Sequence, residues 1–311
     1  MQQKRHAMIL ASFAADSLAL GVHWIYNTNV IDKKYGRVEQ LLEPKLASYH
    51  RGKLKGDFTH YGDQAMVLLK LLAAEPQYET AAFAQKWRDF FDTYEGYFDS
   101  ATKETLKNFE AGKKAGQAGS ESDDFAGAAR IAPLVYRYHS DPKHLAESVK
   151  AQTVMTHNNP LVAATAVFLA VVTHQVLNGA TPRDAIAKTM ASSGADKRLK
   201  SLVVLGLTKR LSDTREAILD FGQMCEIAAA LPAAIHLIDK YQDDLKEALV
   251  QNIMAGGDSA ARGMAIGMII GAHVGLKAIP EEWLLDLNSH KGIEKALLQI
   301  DRHRDSSATT S

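Results

Sequence analysis

Several polar segments of this chain carry the residue types that acid–base or metal chemistry needs. They are residues 16–26, 56–64, 156–159 and 256–262, and a glycine-containing loop at 123–130 is a further candidate. Each lies near the end of a predicted helix, and helix ends within one domain can converge on a single cavity. Their histidines and carboxylates can move protons near neutral pH. We therefore predict a shared cleft, although each polar residue alone could be a helix cap or a satisfied core side chain.

The most informative segment is Gly256-Gly257-Asp258-Ser259, which precedes glycines spaced by four residues at 263, 267, 271 and 275. Paired glycines allow backbone conformations closed to other residues and a close approach to a ligand. Asp258 or Ser259 can cap the helix that follows, and its row of glycines predicts close packing against another helix. A polar helix start favours binding of a phosphate, a sugar or a metal. Ordinary tight packing with a capping Asp is the alternative.

The segments that must position these polar residues have apolar residues at helical spacing. Asn159-Pro160 predicts the start of a helix, and Asn178-Gly179 predicts its end. Apolar residues also recur at helical spacing in 8–18, 66–73, 81–98, 145–155, 182–191, 222–241 and 244–254. Alternating, strand-like segments are scarce and no linker-like stretch divides the chain. The pattern predicts one all-α domain over residues 1–302 and a disordered tail at 303–311.

The composition of the 311 residues is ordinary for a soluble protein, and its charges balance at 36 basic and 36 acidic residues. Such a chain has no net field to attract nucleic acid or an anionic membrane. Its one cysteine, Cys225, excludes an internal disulfide and a cysteine-based zinc site, and is interpreted as a small buried hydrophobe. The longest apolar stretch, Gly263–Leu276, is too short to span a bilayer. We expect a cytoplasmic protein, and the oligomeric state stays open.

The motifs, in their order along the chain, resemble those of the ADP-ribosylglycohydrolase family, which includes the jellyfish J1 crystallins. The matching segments are Ala15–Trp24, Thr59–Gly62, Ala126–Leu134, Thr156-His157 with Pro160, Gly256–Ala261, and Ile279-Pro280 with Trp283 and Leu287. The resemblance implies a single-domain orthogonal helical bundle. It also implies a hydrolase that cleaves an N- or O-glycosidic bond of ADP-ribose or a related ribosyl ligand. The crystallins imply the alternative, a non-catalytic ADP-ribose-binding or structural protein on the same fold.

The departures from the family motifs concern the metal. In catalytic members, carboxylates and threonines of these motifs hold two magnesium ions. Here His23, His60, Tyr61, Gly62, Ala260 and Ala261 stand where the family has Glu, Asp, Asp, Thr, Asp and Thr. Magnesium requires near-octahedral oxygen coordination, and the remaining Asp258 carboxylate and Ser259 hydroxyl cannot supply two such sites. A dinuclear magnesium centre is therefore not expected, and the cofactor stays unassigned.

Two chemistries fit the remaining residues. A single divalent transition metal can bind His23, His60 and Asp258, because imidazole with a carboxylate suits such ions better than magnesium. Without metal, Asp258 or Asp63 can stabilise an oxocarbenium-like transition state while His23 or His60 acts as acid and base. The predicted catalytic residues are Asp258, His60, His23 and Asp63.

The expected ligand is a ribosyl or ADP-ribosyl group, either in a small molecule or linked to a protein. Aromatic side chains can stack on its sugar or base, and backbone N–H groups can bind its phosphates. Its predicted binding residues are Asp16, Trp24, Tyr26, Thr59, Tyr61, Gly127, Ala128, Arg130, His157, Gly257, Ser259 and Arg262. Arg130 has a competing interpretation, in which it pins its own loop to Asp123 or Asp124.

Overall fold

A computed structural model describes residues 2–46, 48–192 and 196–308. Within these ranges the protein is all-α, as predicted, and its only β-type pairings are isolated bridges between Ser120 and His157 and between Asp124 and Glu226. The helices are α1 (Gln2–Leu20), α2 (Thr28–Tyr35), α3 (His60–Ala74), α4 (Thr80–Phe91), α5 (Ser100–Glu110), α6 (Ala126–Ala129), α7 (Ala132–Tyr138), α8 (Pro142–Thr156), α9 (Pro160–Leu177), α10 (Pro182–Met190), α11 (Lys197–Thr208), α12 (Thr214–Phe221), α13 (Ile227–Lys240), α14 (Leu245–Met254), α15 (Ser259–Val274), α16 (Glu281–Asp286) and α17 (His290–Ala308). Short 3₁₀ turns lie at Ser48–His50 and Leu276–Ala278.

Helices α1 and α15 form the centre of the domain, and their contact is nearly backbone to backbone. A Cβ atom on Gly267 would lie 2.4 Å from the carbonyl oxygen of Ala11. One on Gly271 would lie 2.8 Å from the carbonyl oxygen of Ala7. Real Cβ atoms do not approach backbone oxygens this closely, so glycine is required at both positions. The close packing predicted from the spaced glycines is confirmed.

Helix α9 matches its predicted boundaries because both ends carry strong local signals. The side chain of Asn159 accepts hydrogen bonds from the backbone N–H groups of Leu161 and Val162, and Asn178 is the C-terminal cap. By length and composition alone, α9 is long and apolar enough to cross a membrane. However, 67% of the helix is buried within the protein. A largely buried apolar helix is typical of a domain core.

Other helix boundaries differ from the prediction. The periodic stretch 81–98 contains only α4, because the chain leaves the helix after Phe91 and Asp99 caps the separate helix α5 through the N–H of Thr102. The stretch 222–241 begins with Gly222 at φ 98°, a conformation that ends α12, so α13 starts only at Ile227. Helix α17 extends to Ala308, so the predicted tail boundary at 303 falls inside a helix, while 309–311 lie outside the described residues.

We predict that Gly267→Ala lowers the free energy of unfolding by about 1–3 kcal/mol, because the added methyl group must push α1 away from α15. Gly292→Ala is the matched control, since Gly292 is also helical and a Cβ there meets nothing within 4 Å. The control should be neutral or more stable by up to about 1 kcal/mol. Chemical denaturation of both variants measures the difference, and equal effects would contradict the packing argument.

Candidate functional site

Asp258 is the centre of the candidate site. Its Oδ2 accepts hydrogen bonds from Trp24 Nε1–H at 3.2 Å and from the Tyr61 hydroxyl at 3.0 Å. Its Oδ1 has no hydrogen-bond partner, although the residue is only 1% exposed. Asp258 occupies the N-cap position of α15 without making a side-chain cap bond, and the Ser259 hydroxyl is also unpartnered. The predicted capping role is therefore wrong, and the carboxylate faces the interior cluster instead.

The backbone around Asp258 is held by a turn that only glycine can form. Gly256 and Gly257 have φ values of 69° and 71°, and a Cβ atom on Gly257 would lie 2.2 Å from the carbonyl oxygen of Gln223. The carbonyl of Gly257 accepts a hydrogen bond from the backbone N–H of Trp24 at 3.0 Å. Trp24 itself has φ 64°, a strained conformation for a residue with a large side chain. This strained contact directs the indole N–H towards Asp258.

Arg262 supports the same turn from behind. Its Nε donates to Asn252 Oδ1 at 3.0 Å and its Nη2 donates to the carbonyl of Gly256 at 2.7 Å. The side chain is fully buried. Burial lowers the pKa of Arg262 to about 10, and the charge of nearby Asp258 opposes this decrease. The structure thus places Arg262, and also Gly257, in the scaffold of the site, although both were predicted to bind ligand.

His23 and His60 lie in the same buried cluster as Asp258. The His23 ring stacks on Trp24 with 4.5 Å between centroids, and its Nε2 is 3.9 Å from Asp258 Oδ1. The rings of His23 and His60 are 6.5 Å apart. Both nitrogens of His23 are buried without a hydrogen-bond partner. Unpaired polar atoms are rare in protein interiors, and a group of them in one place indicates a site for water, a ligand or an ion.

The protonation states in this cluster are set mainly by burial. Burial lowers the pKa of His23 far below its usual value, and the nearby charges of His60 and Arg262 lower it further. Burial also raises the pKa of Asp258, while the hydrogen bond from Trp24 opposes the increase. The protein interior therefore favours a neutral His23.

Asp99, Asp124, Cys225 and His50 belong to the cluster but were not predicted. His60 Nε2 lies 3.3 Å from Asp99 Oδ2. Burial alone would raise the pKa of Asp99, but the neighbouring His60 imidazole gives an overall decrease. One donor atom each from Asp124, Cys225 and Asp258 lies within 4.8 Å of the others. Asp124 lies in the candidate loop 123–130, whereas no local pattern around Cys225 indicates its position.

Two predicted acids are committed to other partners. Asp63 forms an ion pair with Lys53 and accepts a hydrogen bond from the Tyr94 hydroxyl at 2.6 Å. Asp16 accepts hydrogen bonds from the backbone N–H and the hydroxyl of Thr59, at 2.8 and 2.6 Å, and from the N–H of Gly62 at 3.2 Å. Asp16 and Thr59 together hold the start of α3, which carries His60 and Tyr61. Asp16 and Thr59 therefore position the residues of the site through these hydrogen bonds, and their polar atoms do not face the cluster.

Arg130 and His157 form a buried wall beside the cluster. Arg130 donates to Thr156 Oγ1 at 2.7 Å and to Gln64 Oε1, and not to Asp123 or Asp124. Its predicted role as a pin for its own loop is therefore wrong. The His157 ring packs closely on Gly127: a Cβ atom on Gly127 would lie 2.5 Å from Cγ of His157. The next residue, Ala128, is fully buried.

Three aromatic rings cover the cluster on the outside. Trp24, Tyr49 and Tyr97 pack edge to face, with 5.0–5.4 Å between ring centroids. Tyr49 is 54% exposed, and Tyr97 also packs against His60 at 5.2 Å. Tyr26, predicted to contact ligand, is 40% exposed. A cavity of about 390 Å³ lies against Tyr49 and Tyr97, and a cavity of about 570 Å³ lies beside α9. Neither cavity is lined by any of the predicted site residues.

Comparison with known proteins decides the family. The ADP-ribosylglycohydrolase family model matches residues 1–308. The chain belongs to the ADP-ribosylglycohydrolase family. A solved chain described as an ADP-ribosylglycohydrolase-related protein complex is similar in fold, with a TM-score of 0.66, 20% identity, and coverage of 97% of this chain and 98% of that chain.

Two relatives cover nearly the whole length of this ADP-ribosylglycohydrolase family member. Crystallin J1B of Tripedalia cystophora is 22% identical over an alignment of 305 residues. The alignment covers 91% of this chain and 92% of the relative. An uncharacterized protein of Archaeoglobus fulgidus is 23% identical over 304 residues, which is 96% of both chains. The resemblance inferred from the motifs is confirmed, as is the all-α fold of the family.

The residues present do not fit the dinuclear magnesium centre that the family implies. Asp258 Oδ2 accepts hydrogen bonds from the N–H of Trp24 and the O–H of Tyr61. A magnesium ion bound to this oxygen needs a lone pair that no donor occupies. Ala260 and Ala261 present only buried methyl groups. The predicted single-metal set also differs from the geometry: in the described part of the chain, the three donors that meet are Asp124, Cys225 and Asp258 rather than His23, His60 and Asp258.

We predict that magnesium does not bind at this site. Titration of the protein with Mg²⁺ in a calorimeter should give only the heat of dilution, because one carboxylate and two hydrogen-bond donors cannot replace the hydration shell of the ion. The same titration into buffer is the control. Saturable binding of two equivalents would contradict the prediction.

A second prediction concerns Asp16. Burial raises the pKa of Asp16 to about 6, against the opposing hydrogen bonds from Thr59. The folded state therefore holds this proton more tightly than the unfolded chain, so the wild type loses stability as pH rises from about 4 to about 6. Relative to Asp16→Asn, which does not titrate, this loss should reach about 3 kcal/mol. Denaturation of both proteins between pH 4 and pH 7 measures it, and a difference independent of pH would refute it.

Proposed function

We propose that the protein is a hydrolase that cleaves an N- or O-glycosidic bond of ADP-ribose or a related ribosyl ligand without a dinuclear magnesium centre. Family membership supports the reaction class. The observation that carries the proposal is the buried Asp258 carboxylate, which keeps one oxygen free beside the imidazole of His23. An unpaired buried carboxylate destabilises a fold, so its presence in a cluster of ionisable groups favours a functional role.

The cluster contains the groups that glycosidic cleavage needs. Positive charge develops at the anomeric carbon in an oxocarbenium-like transition state, and a nearby carboxylate stabilises it. Asp258 supplies this carboxylate, and Trp24 and Tyr61 fix its orientation through Oδ2. A second group must move a proton between the leaving atom and water. His60 has that role in our proposal, because its Nε2 lies 3.3 Å from Asp99 Oδ2 and neither of its ring nitrogens is committed to a hydrogen bond.

The aromatic cover supports recognition of a sugar or a nucleobase. Trp24, Tyr49 and Tyr97 pack against one another beside the buried cluster, Tyr49 and Tyr97 line the adjacent cavity, and Tyr49 presents much of its surface to solvent. Aromatic rings stack on the apolar faces of sugars and bases, while their polar atoms accept or donate hydrogen bonds. Because Asp258 is only 1% exposed, neighbouring side chains must move before a ligand reaches the carboxylate, and we propose that these rings do so. We propose that the ligand is a ribosyl or ADP-ribosyl group, either in a small molecule or linked to a protein. We propose no nucleic acid or membrane partner, and a location in the cytoplasm.

A non-catalytic role is the second candidate, and the relationship to crystallin J1B favours it. Such a protein would retain the fold and bind an ADP-ribosyl ligand or none. Calorimetry with ADP-ribose, together with chromatography of N-linked and O-linked ADP-ribosyl peptides, distinguishes the candidates. Release of ADP-ribose supports the hydrolase, whereas saturable binding without release supports a binding protein.

We predict that Asp258→Asn lowers kcat/KM for release of ADP-ribose by about 100-fold or more, because the amide keeps the shape of the carboxylate and loses its charge. Asp63→Asn is the matched comparison. Its carboxylate is held by Lys53 and Tyr94, so we expect a decrease of less than about tenfold. Equal losses in the two variants, or a larger loss in Asp63→Asn, would show that the wrong carboxylate has been assigned.

A further inference from the structure

Asp124, Cys225 and Asp258 meet at the outer edge of the cluster, although they come from three distant segments. The backbone fixes the first two: Phe125 N–H donates to the carbonyl of Cys225 at 2.8 Å, and Ile227 N–H donates to the carbonyl of Asp123 at 2.9 Å. The third lies at the start of α15. One donor atom from each side chain lies within 4.8 Å of the other two.

The carboxylates in this set are oriented by hydrogen bonds that leave an oxygen available. Asp258 uses Oδ2 for Trp24 and Tyr61, and its Oδ1 remains unpartnered. Asp124 uses Oδ1 to accept the N–H of Ala126 at 2.8 Å. Hydrogen bonds of this kind orient the carboxylates that bind metal ions in proteins.

His23 provides independent support for a ligand at this place. Its Nε2 is 3.9 Å from the free Oδ1 of Asp258, and the side chain is 1% exposed. Neither ring nitrogen has a hydrogen-bond partner. A buried imidazole that points an unpaired nitrogen at an unpaired carboxylate oxygen indicates that another atom belongs between or beside them.

We propose that Asp124, Cys225 and Asp258 bind one divalent transition-metal ion of the zinc class, with His23 Nε2 available as a fourth donor. A thiolate with carboxylates and an imidazole suits such an ion, whereas magnesium and calcium select oxygen donors alone. Neighbouring ligand atoms on a tetrahedral zinc lie about 3.5 Å apart, so donor atoms that lie within 4.8 Å of one another must approach by at most about 1.3 Å. This site contains one thiolate, unlike the sites with several cysteines that the sequence excludes.

The site is partly accessible to solvent, because Asp124 and Cys225 are half-buried, whereas Asp258 is buried. The proposal does not depend on the proposed hydrolysis, because metal binding is measured without substrate.

The single cysteine makes the test specific to one position. Full-length protein without a metal-affinity tag is stripped with a chelator and titrated with Zn²⁺ or Co²⁺. We expect one equivalent of metal, a near-ultraviolet thiolate-to-cobalt charge-transfer band, and slower alkylation of Cys225 by iodoacetamide when Zn²⁺ is present. Absence of stoichiometric uptake, or uptake without protection of Cys225, would overturn the proposal.

Single substitutions test whether Asp124 and Cys225 bind the metal ion and whether a neighbouring acid outside the set does not. Cys225→Ser should abolish the charge-transfer band, and both Cys225→Ser and Asp124→Asn should weaken Zn²⁺ binding by about tenfold or more. Asn at position 124 can still accept the N–H of Ala126, so the loop should stay folded. Asp123→Asn is the control and should bind Zn²⁺ with unchanged affinity, because Asp123 is outside the set. Full-strength binding by Cys225→Ser and Asp124→Asn would place the metal elsewhere and refute the site.

Discussion

The contact between α1 and α15 is the constraint on which the site depends. Gly271 lies against Ala7, Gly267 against Ala11 and Gly263 against Ala15, so the two helices run in opposite directions with their backbones in contact. The end of α1 is thereby brought beside the start of α15. His23 and Trp24 follow the first, and Asp258 immediately precedes the second. A larger side chain in this row would separate the helices and also move the indole away from the carboxylate.

The sequence predicts the helical class and the central cleft because these depend on repeated or local signals. Glycines four residues apart predict that α15 packs closely against another helix, without identifying α1 as that helix, and an Asn-Pro pair predicts the start of α9. Motif order also predicts that His23, His60 and Asp258 share one cluster. Sequence cannot show which partner each polar side chain takes. Asp63 pairs with Lys53, and this choice follows from the course of the chain between residues 50 and 60.

Cys225 and Asp124 show the other limit of sequence reasoning. Cys225 precedes the apolar residues of α13 and has no neighbouring residues that mark it as a ligand. It meets Asp124 because a short backbone bridge joins two loops about a hundred residues apart, and such a pairing leaves no periodic pattern. The side-chain cluster is a tertiary property, so only coordinates reveal it.

The substitutions within the family motifs also act together, which a position-by-position comparison does not show. Tyr61 occupies the position of an acid in the family motif and donates its hydroxyl to the remaining acid, Asp258. Trp24 donates to the same oxygen from the other side. These donors lower the free energy of a buried carboxylate that would otherwise require positive charge nearby. Around Asp258 Oδ2 the site thus consists of hydrogen-bond donors, whereas Cys225 and Asp124 are the groups through which we propose that a softer cation binds.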